Sequence, residues 1–149
     1  MQTKYTEATH NRPAGDRVID APFVFADLDK YASQLKTEDA WEKSDRNSIT
    51  IYKTEGLAMV LICLHKNATI EDNSVDGLLT VEVLEGSVDL AIENHIQVVK
   101  KNQLMTLHPC IRHSIRARKE TTILLVNQAE ESASANNDTS ATIFKKNKN

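Results

Sequence analysis

The chain has 149 residues, of which 26% are charged, and a formal net charge of −3. A chain of this length can bury about two thirds of its unfolded surface in one core without disulfide or metal support. The basic residues form no stripe with interleaved aromatic residues, so we expect no nucleic-acid partner. The longest apolar run, Leu57 to Leu64, is too short to cross a bilayer, and the N-terminus lacks an apolar signal region. These features predict a cytoplasmic protein without a membrane partner.

The N-terminal residues 1–20 are polar and contain Pro13 and Gly15, which predicts a flexible or draped arm. The apolar segment that follows, Ala21 to Phe25, is a candidate for pairing at a sheet edge, since Pro22 is tolerated at the start of such a strand.

A short N-terminal helix is predicted next, because Asp27 is a suitable N-cap and apolar residues recur after it at helical spacing. Those residues are Leu28, Tyr31, Ala32 and Leu35. We expect this apolar face to cover an open end or a side of a β-structure. Trp41, the one tryptophan, lies in a charged stretch and is interpreted as a lid or edge anchor, because an indole buries a large area.

Strands are predicted from Ile49 to Lys53 and from Ala58 to His65. In the second strand both faces are apolar, so it must be covered on two sides. One cover would be the interior of the fold, and the other would be either the helix or the same strand of a second copy, which makes a homodimer a hypothesis. The polar, acidic stretch from Lys66 to Gly77 is expected to form a loop.

The region from Leu78 to Val126 predicts five or six short strands joined by tight turns, with apolar residues alternating along each strand. Gly86 suits a turn because glycine adopts positive φ without a Cβ clash. Repeated short strands of this kind are typical of a β-sandwich or barrel. Residues 128–149 are rich in Ala, Ser and Asn, which predicts a disordered tail. Two separate cysteines without CxxC spacing, Cys63 and Cys110, are expected to be buried reduced thiols.

Two sequence stretches, VLEGSVDL and LHPCIRHSIRA, resemble the two conserved stretches of the cupin superfamily. In the second, Asn102, Pro109 and His113 stand at the places of the turn glycine, the proline and the histidine. The resemblance implies an all-β, antiparallel, double-sheet jelly-roll barrel over residues 21–127, with its core in 57–127 and a pocket at its mouth.

The same resemblance implies a degenerate metal site. Metal-bearing cupins usually present two histidines and a glutamate from the first stretch and a histidine from the second, whereas this chain has Asp72, Ser74, Leu79 and His113 there. Leucine has no lone pair, so we expect no cofactor. The alternative is a cupin oxygenase or isomerase with Fe, Mn or Ni at Asp72, His65 and His113, which requires that His65 point inward with Met59, Leu61 and Cys63.

We therefore expect a protein that binds a small molecule in its cavity without catalysis, and an enzyme is the alternative. His113 shares a face with Ile115 and Ala117, so its ring should point inward, where it either contacts a ligand or only forms a core hydrogen bond. Arg112 suits an anionic group, which it can hold through two hydrogen bonds. The residues predicted to bind the ligand are His113, Arg112, Asp72, His65 and Cys63. No GxSxG, Walker, Rossmann or HExxH pattern occurs.

Overall fold

The computed structural model describes residues 3–7, 12 and 17–129, except for the side chains of residues 72 and 73. Two helices occur in this part of the chain, α1 (Leu28–Leu35) and α2 (Asp39–Lys43). The strands are β1 (Lys4–Thr6), β2 (Arg17–Asp20), β3 (Arg46–Lys53), β4 (Leu57–Leu64), β5 (Thr69–Asn73), β6 (Leu78–Glu85), β7 (Ser87–Ile92), β8 (His95–Lys100), β9 (Leu104–Leu107), β10 (His113–Ala117) and β11 (Thr121–Gln128). Neither described helix is long and apolar enough to cross a membrane. Most of the expected tail lies outside the described residues.

The fold is all-β, as the sequence predicts, and consists mainly of two antiparallel sheets. One sheet has five strands in the order β3-β4-β11-β6-β9, and the other has four in the order β5-β10-β7-β8. The main core contains side chains from both sheets, among them Val81, Leu90 and Ile115. Within the described residues the two sheets are not hydrogen-bonded into a closed barrel, so the architecture is a sandwich.

The predicted turns adopt the backbone conformations expected from their residues. Gly86, between β6 and β7, has a φ of 86°. Asn102, between β8 and β9, has a φ of 66°, which asparagine tolerates better than most residues do. Six strands, β6 to β11, lie in the region where the sequence predicts five or six.

The predicted helix α1 covers the outer face of the five-stranded sheet. Asp27 caps it by accepting a hydrogen bond from the Lys30 backbone N–H at 3.1 Å. The buried side chains of Leu35 and Trp41 pack in one cluster with Leu61 and Cys63 of β4. The second face of β4 is therefore covered by the chain's own helix. This is one of the two alternatives that the sequence left open, the other being the same strand of a second copy.

The structure corrects two predictions. Residues 69–73 form β5 rather than a loop, because they pair with β10. The segment from Ala21 to Phe25 forms no strand. The described part of the expected arm contains β1 and β2, which pair with each other, and the Arg17 guanidinium of β2 donates to the Thr50 carbonyl at 2.6 Å.

Candidate functional site

His113 begins β10 and is only 4% exposed. It alternates with Ile115 and Ala117, which lie in the main core, so the inward orientation predicted for its ring is confirmed. Its Nδ1 lies 3.0 Å from the Ile111 carbonyl oxygen. Because a carbonyl only accepts hydrogen bonds, Nδ1 carries the proton and donates it. The ring thereby holds the backbone of Ile111, the residue before Arg112.

A backbone hydrogen bond joins two loops at this end of the sandwich. The Cys110 N–H donates to the Val75 carbonyl oxygen at 2.8 Å. Cys110 has a φ of 64°, an uncommon conformation for a residue with a Cβ. Its side chain is exposed, so the expectation that both cysteines are buried is wrong for Cys110. The residue lies in a loop rather than in a strand, which explains the difference.

A pocket of about 530 Å³ lies on the outer face of the four-stranded sheet. We call it the outer pocket, and its lining residues are Thr69, Glu71, Ala91, Glu93, Arg112, His113 and Ser114. Glu71, Ala91 and Ser114 alternate with core residues of β5, β7 and β10, so their side chains point away from the core. The outer pocket thus brings Arg112 of the predicted set together with acidic and hydroxyl groups, and His113 also lines it although its ring points toward the core.

The described residues do not fit the metal site of the cupin pattern. Leu79 is 3% exposed and packs within the aliphatic core, while Ser74 is exposed. Asp72 lies in β5, and its side chain is outside the described part of the structure. No group of three His, Cys, Asp or Glu in the described part of the chain is arranged to hold a metal ion.

His65 and Cys63 do not join His113. The face of β4 that carries Met59, Leu61 and Cys63 is turned toward the helices, whereas Ile62 and Leu64 face the main core. The inward orientation required for His65 is therefore wrong, and the ring of His65 stacks on Trp41 instead. The Cys63 thiol lies 3.6 Å from the Thr122 hydroxyl. Burial raises the pKa of this thiol, and the Thr122 contact opposes the shift.

Sequence analysis did not identify a second concave surface, a cavity of about 370 Å³ on the outer face of the five-stranded sheet. We call it the apolar groove, and it is lined by Val24, Ala26, Leu28, Ile51, Tyr52, Leu57, Met59 and Leu124. The sequence contained one indication of this groove. The run of apolar residues in β4 extends back to Leu57, beyond Leu61 and Cys63, which pack with α1. The partners of Leu57 depend on long-range pairing, which sequence patterns do not reveal.

No protein-family model and no curated protein matches this sequence. Solved structures do match. A conserved protein of unknown function from Streptococcus pyogenes is 21% identical, with a TM-score of 0.58 over 85% of this chain and 98% of that one. A cupin superfamily protein from Desulfitobacterium hafniense is 9% identical, with a TM-score of 0.56 over 57% of this chain and 78% of that one. The cupin domain of an XRE family transcriptional regulator from Enterobacter cloacae is 10% identical, with a TM-score of 0.52 over 59% of this chain and all 100% of that one.

Proposed function

Because this chain has the fold of the cupin superfamily, we propose that it binds a small polar molecule in the outer pocket and does not catalyse a reaction. One observation carries the proposal: the outer pocket gathers the Arg112 guanidinium and polar side chains from other parts of the chain, Glu71 and Glu93, on one concave surface. Its volume of about 530 Å³ lies within the usual range of small-molecule sites. From the sequence we expected this site inside a barrel, whereas the outer pocket lies on the outer face of the four-stranded sheet.

The charges of the outer pocket suit a ligand with both an anionic and a donor group. The Arg112 guanidinium can hold a carboxylate or phosphate by two parallel hydrogen bonds. Glu71 and Glu93 supply acceptors for hydroxyl or ammonium groups, and Ser114 supplies a hydroxyl. His113 acts as a positioning residue, since its hydrogen bond holds the backbone of Ile111, the residue before Arg112.

We propose the absence of catalysis because of the residues that stand at the expected metal-ligand positions. Leu79 occupies a position where metal-bearing relatives usually have a ligand, and it is packed among aliphatic side chains. The alternative metal site requires Asp72, His65 and His113. The His65 ring cannot contribute to it, because this ring stacks on Trp41 on the side of β4 that faces away from the main core. No observation favours the enzymatic alternative over the binding function.

Thermal unfolding in the presence of carboxylates, amino acids and sugar phosphates tests the binding function. We expect one chemical group of these compounds to raise the melting temperature of the native chain. Arg112→Ala should abolish that rise. The control is Arg118→Ala, which removes an exposed arginine that lies 3.9 Å from Asp89 and does not line the outer pocket.

Elemental analysis addresses the enzymatic alternative. Near-stoichiometric iron, manganese or nickel in the purified native chain, lost in His113→Ala, would refute the proposal that the domain lacks metal-dependent chemistry. A ligand response that persists unchanged in Arg112→Ala would instead place the binding site elsewhere.

A further inference from the structure

Basic side chains gather at one end of the sandwich, where three hairpin turns meet. These turns join β6 to β7, β8 to β9 and β10 to β11, and they surround a concave surface of about 480 Å³. We call it the basic pocket, and its lining residues are Gly86, Ser87, Lys100, Lys101, Arg118 and Lys119. Four of these six residues are cationic, although the net charge of the whole chain is −3. The basic pocket is therefore locally positive on a chain that is acidic overall.

Strand pairing places a cation on each side of Ser87. Ser87 of β7 pairs with Lys100 of β8, and its carbonyl oxygen accepts a hydrogen bond from the Arg118 N–H at 2.9 Å on the other side. The side chain of Ser87 lies on the outer face of the sheet, because Ser87 alternates with Val88 of the core. Neighbouring residues on paired strands point to the same face, so the backbone holds three hydrogen-bond donors side by side.

Two of the four cations have a carboxylate nearby. The Lys101 Nζ lies 2.7 Å from a Glu85 oxygen, and the Arg118 Nε lies 3.9 Å from an Asp89 oxygen. Each of these four side chains is at least 32% exposed, so solvent screens both pairs. Neither Glu85 nor Asp89 lines the basic pocket. Both cations therefore remain available to an anion that binds there.

The other two cations, Lys100 and Lys119, form no ion pair with any described residue. Four cations around one concave surface repel one another, and a bound anion would relieve this repulsion. The described lining residues include no Asp or Glu that could do so instead. This arrangement favours a ligand with several negative charges close together.

We propose that the basic pocket binds a diphosphate group, either as inorganic pyrophosphate or within a small diphosphate ester. Ammonium and guanidinium groups form charge-assisted hydrogen bonds with phosphate oxygens, and the Arg118 guanidinium can form two in parallel. Two linked phosphates reach cations from separate turns better than a single phosphate does. None of the described lining residues is aromatic, so a nucleotide base would gain no stacking and the phosphates carry the recognition.

The basic pocket is separate from the outer pocket, and the two share no lining residue. In β7 the outer pocket is lined by Ala91 and the basic pocket by Ser87, and Asp89 lies between them on the same face. Ala91 and Ser87 are roughly 13 Å apart along the strand, at about 3.3 Å per residue. Binding can therefore be tested at each pocket independently.

Isothermal titration calorimetry of the native chain with inorganic pyrophosphate tests the proposal. We expect one saturable site, and Lys100→Gln/Lys119→Gln should raise the dissociation constant at least about tenfold, because two charged donors are lost. The variant should keep its circular dichroism spectrum, since both side chains are exposed. The matched control, Lys30→Gln/Lys53→Gln, removes two exposed lysines that do not line the basic pocket and should bind like the native chain.

Titrations with ADP and orthophosphate define the ligand. Binding of ADP as tight as that of pyrophosphate would extend the site to diphosphate esters, and no binding of ADP would assign it to the inorganic ion. Orthophosphate should bind at least about tenfold more weakly than pyrophosphate, because it reaches fewer of the cations. Equal affinity for the two inorganic ions would overturn the assignment of a diphosphate.

Backbone amide resonances locate the bound pyrophosphate. In nitrogen-15 NMR spectra of the native chain, the amides of Gly86 and Ser87 should shift as pyrophosphate is added. The amides of Ala91 and Ser114, which line the outer pocket, should stay in place. The opposite pattern would overturn the proposal.

The two arginines separate this proposal from ligand binding in the outer pocket. Arg118→Ala should weaken pyrophosphate binding while it leaves the outer pocket intact. Pyrophosphate binding that is lost in Arg112→Ala but kept in Lys100→Gln/Lys119→Gln would place the phosphates in the outer pocket. That result would overturn the present proposal and leave the function proposed for the outer pocket standing. No saturable binding of pyrophosphate to the native chain would also overturn it, as would a control variant weakened as much as the pocket variant.

Discussion

The imidazole of His65 lies flat against the indole of Trp41, with ring centroids 3.5 Å apart and planes inclined by 17°. The His65 Nε2 also lies 2.7 Å from the Trp41 carbonyl oxygen. His65 therefore contacts both the ring and the backbone of Trp41, and the pair joins α2 to the end of β4. It explains why Trp41 is 8% exposed although its sequence neighbours are charged.

Replacing Trp41 should destabilise the fold strongly. Trp41→Ala removes a buried indole from the cluster beneath α1, so we expect the free energy of unfolding to fall by about 3–5 kcal/mol. Urea denaturation followed by circular dichroism measures the change. Tyr5→Ala, at a residue that is 64% exposed, should leave the unfolding midpoint almost unchanged. A small effect at Trp41 would contradict the packing described for α2.

Glu38 should make stability depend on acid pH. Hydrogen bonds from Arg12, the largest cause, and from Gln34 and Asn47 lower the pKa of Glu38 to about 2, against the effect of burial. Because the folded-state pKa is lower than the unfolded-state value, Glu38 stabilises the fold above about pH 4.5, and this contribution is lost as the pH falls toward 2. Its size is on the order of 3 kcal/mol.

Urea unfolding of Glu38→Gln at about pH 7 and about pH 3 tests this contribution. The variant should be less stable than the native chain near neutrality, and the difference should shrink in acid. Glu120→Gln is a suitable control, since the Glu120 side chain is 55% exposed in its ion pair with Lys36 and should change stability by less than about 1 kcal/mol. An equal loss at both pH values would show that Glu38 does not act through its charge.

Two glycines should respond in opposite ways to alanine. At Gly86, φ is 86°, and an added Cβ would lie 2.6 Å from the Glu120 carbonyl oxygen and clash with the Thr121 hydroxyl oxygen. Gly86→Ala should therefore cost more than about 1 kcal/mol of stability. At Gly56 nothing lies within 4 Å of such an atom, so Gly56→Ala should be neutral or slightly stabilising. Thermal melting of both variants compares them, and equal losses would contradict the turn geometry.

The two cysteines should differ in reactivity. In the native chain Ellman's reagent should modify Cys110, which is exposed, while Cys63 should react only after unfolding because it is buried and its thiol pKa is raised. Absorbance at native and denaturing conditions counts the reactive thiols. Cys110→Ser should abolish the native reaction, and a reaction that persists in this variant would contradict the burial of Cys63.

Local patterns were sufficient for most strands, the helix cap and the turns. The alternation of Val88 and Leu90 identified the core face of β7, because only one face of that strand is apolar. In β4 both faces are apolar, so the pattern could not tell which one faces the core. The sequence therefore left open whether His65 points inward, and in the structure its ring stacks on Trp41 instead. Polar residues such as Glu71 concealed β5, whose pairing with β10 is a long-range contact.

The candidate site was less predictable than the fold. His113 and Arg112 were identifiable because they lie within a recognisable stretch. Their pocket neighbours Glu71 and Ala91 come from two other strands, and only the register of β5 and β7 against β10 brings them there. A sequence pattern does not contain that register.

The outward direction of Glu71, Ala91 and Ser114 keeps the surface proposed for ligand binding separate from the residues that form the core. Substitutions at these three positions leave the aliphatic interior untouched, and exchanges at such surface sites usually alter stability by no more than about 0.5 kcal/mol. If the outer pocket binds the ligand as proposed, its selectivity can therefore be changed one side chain at a time, by natural divergence or by design, without altering the core.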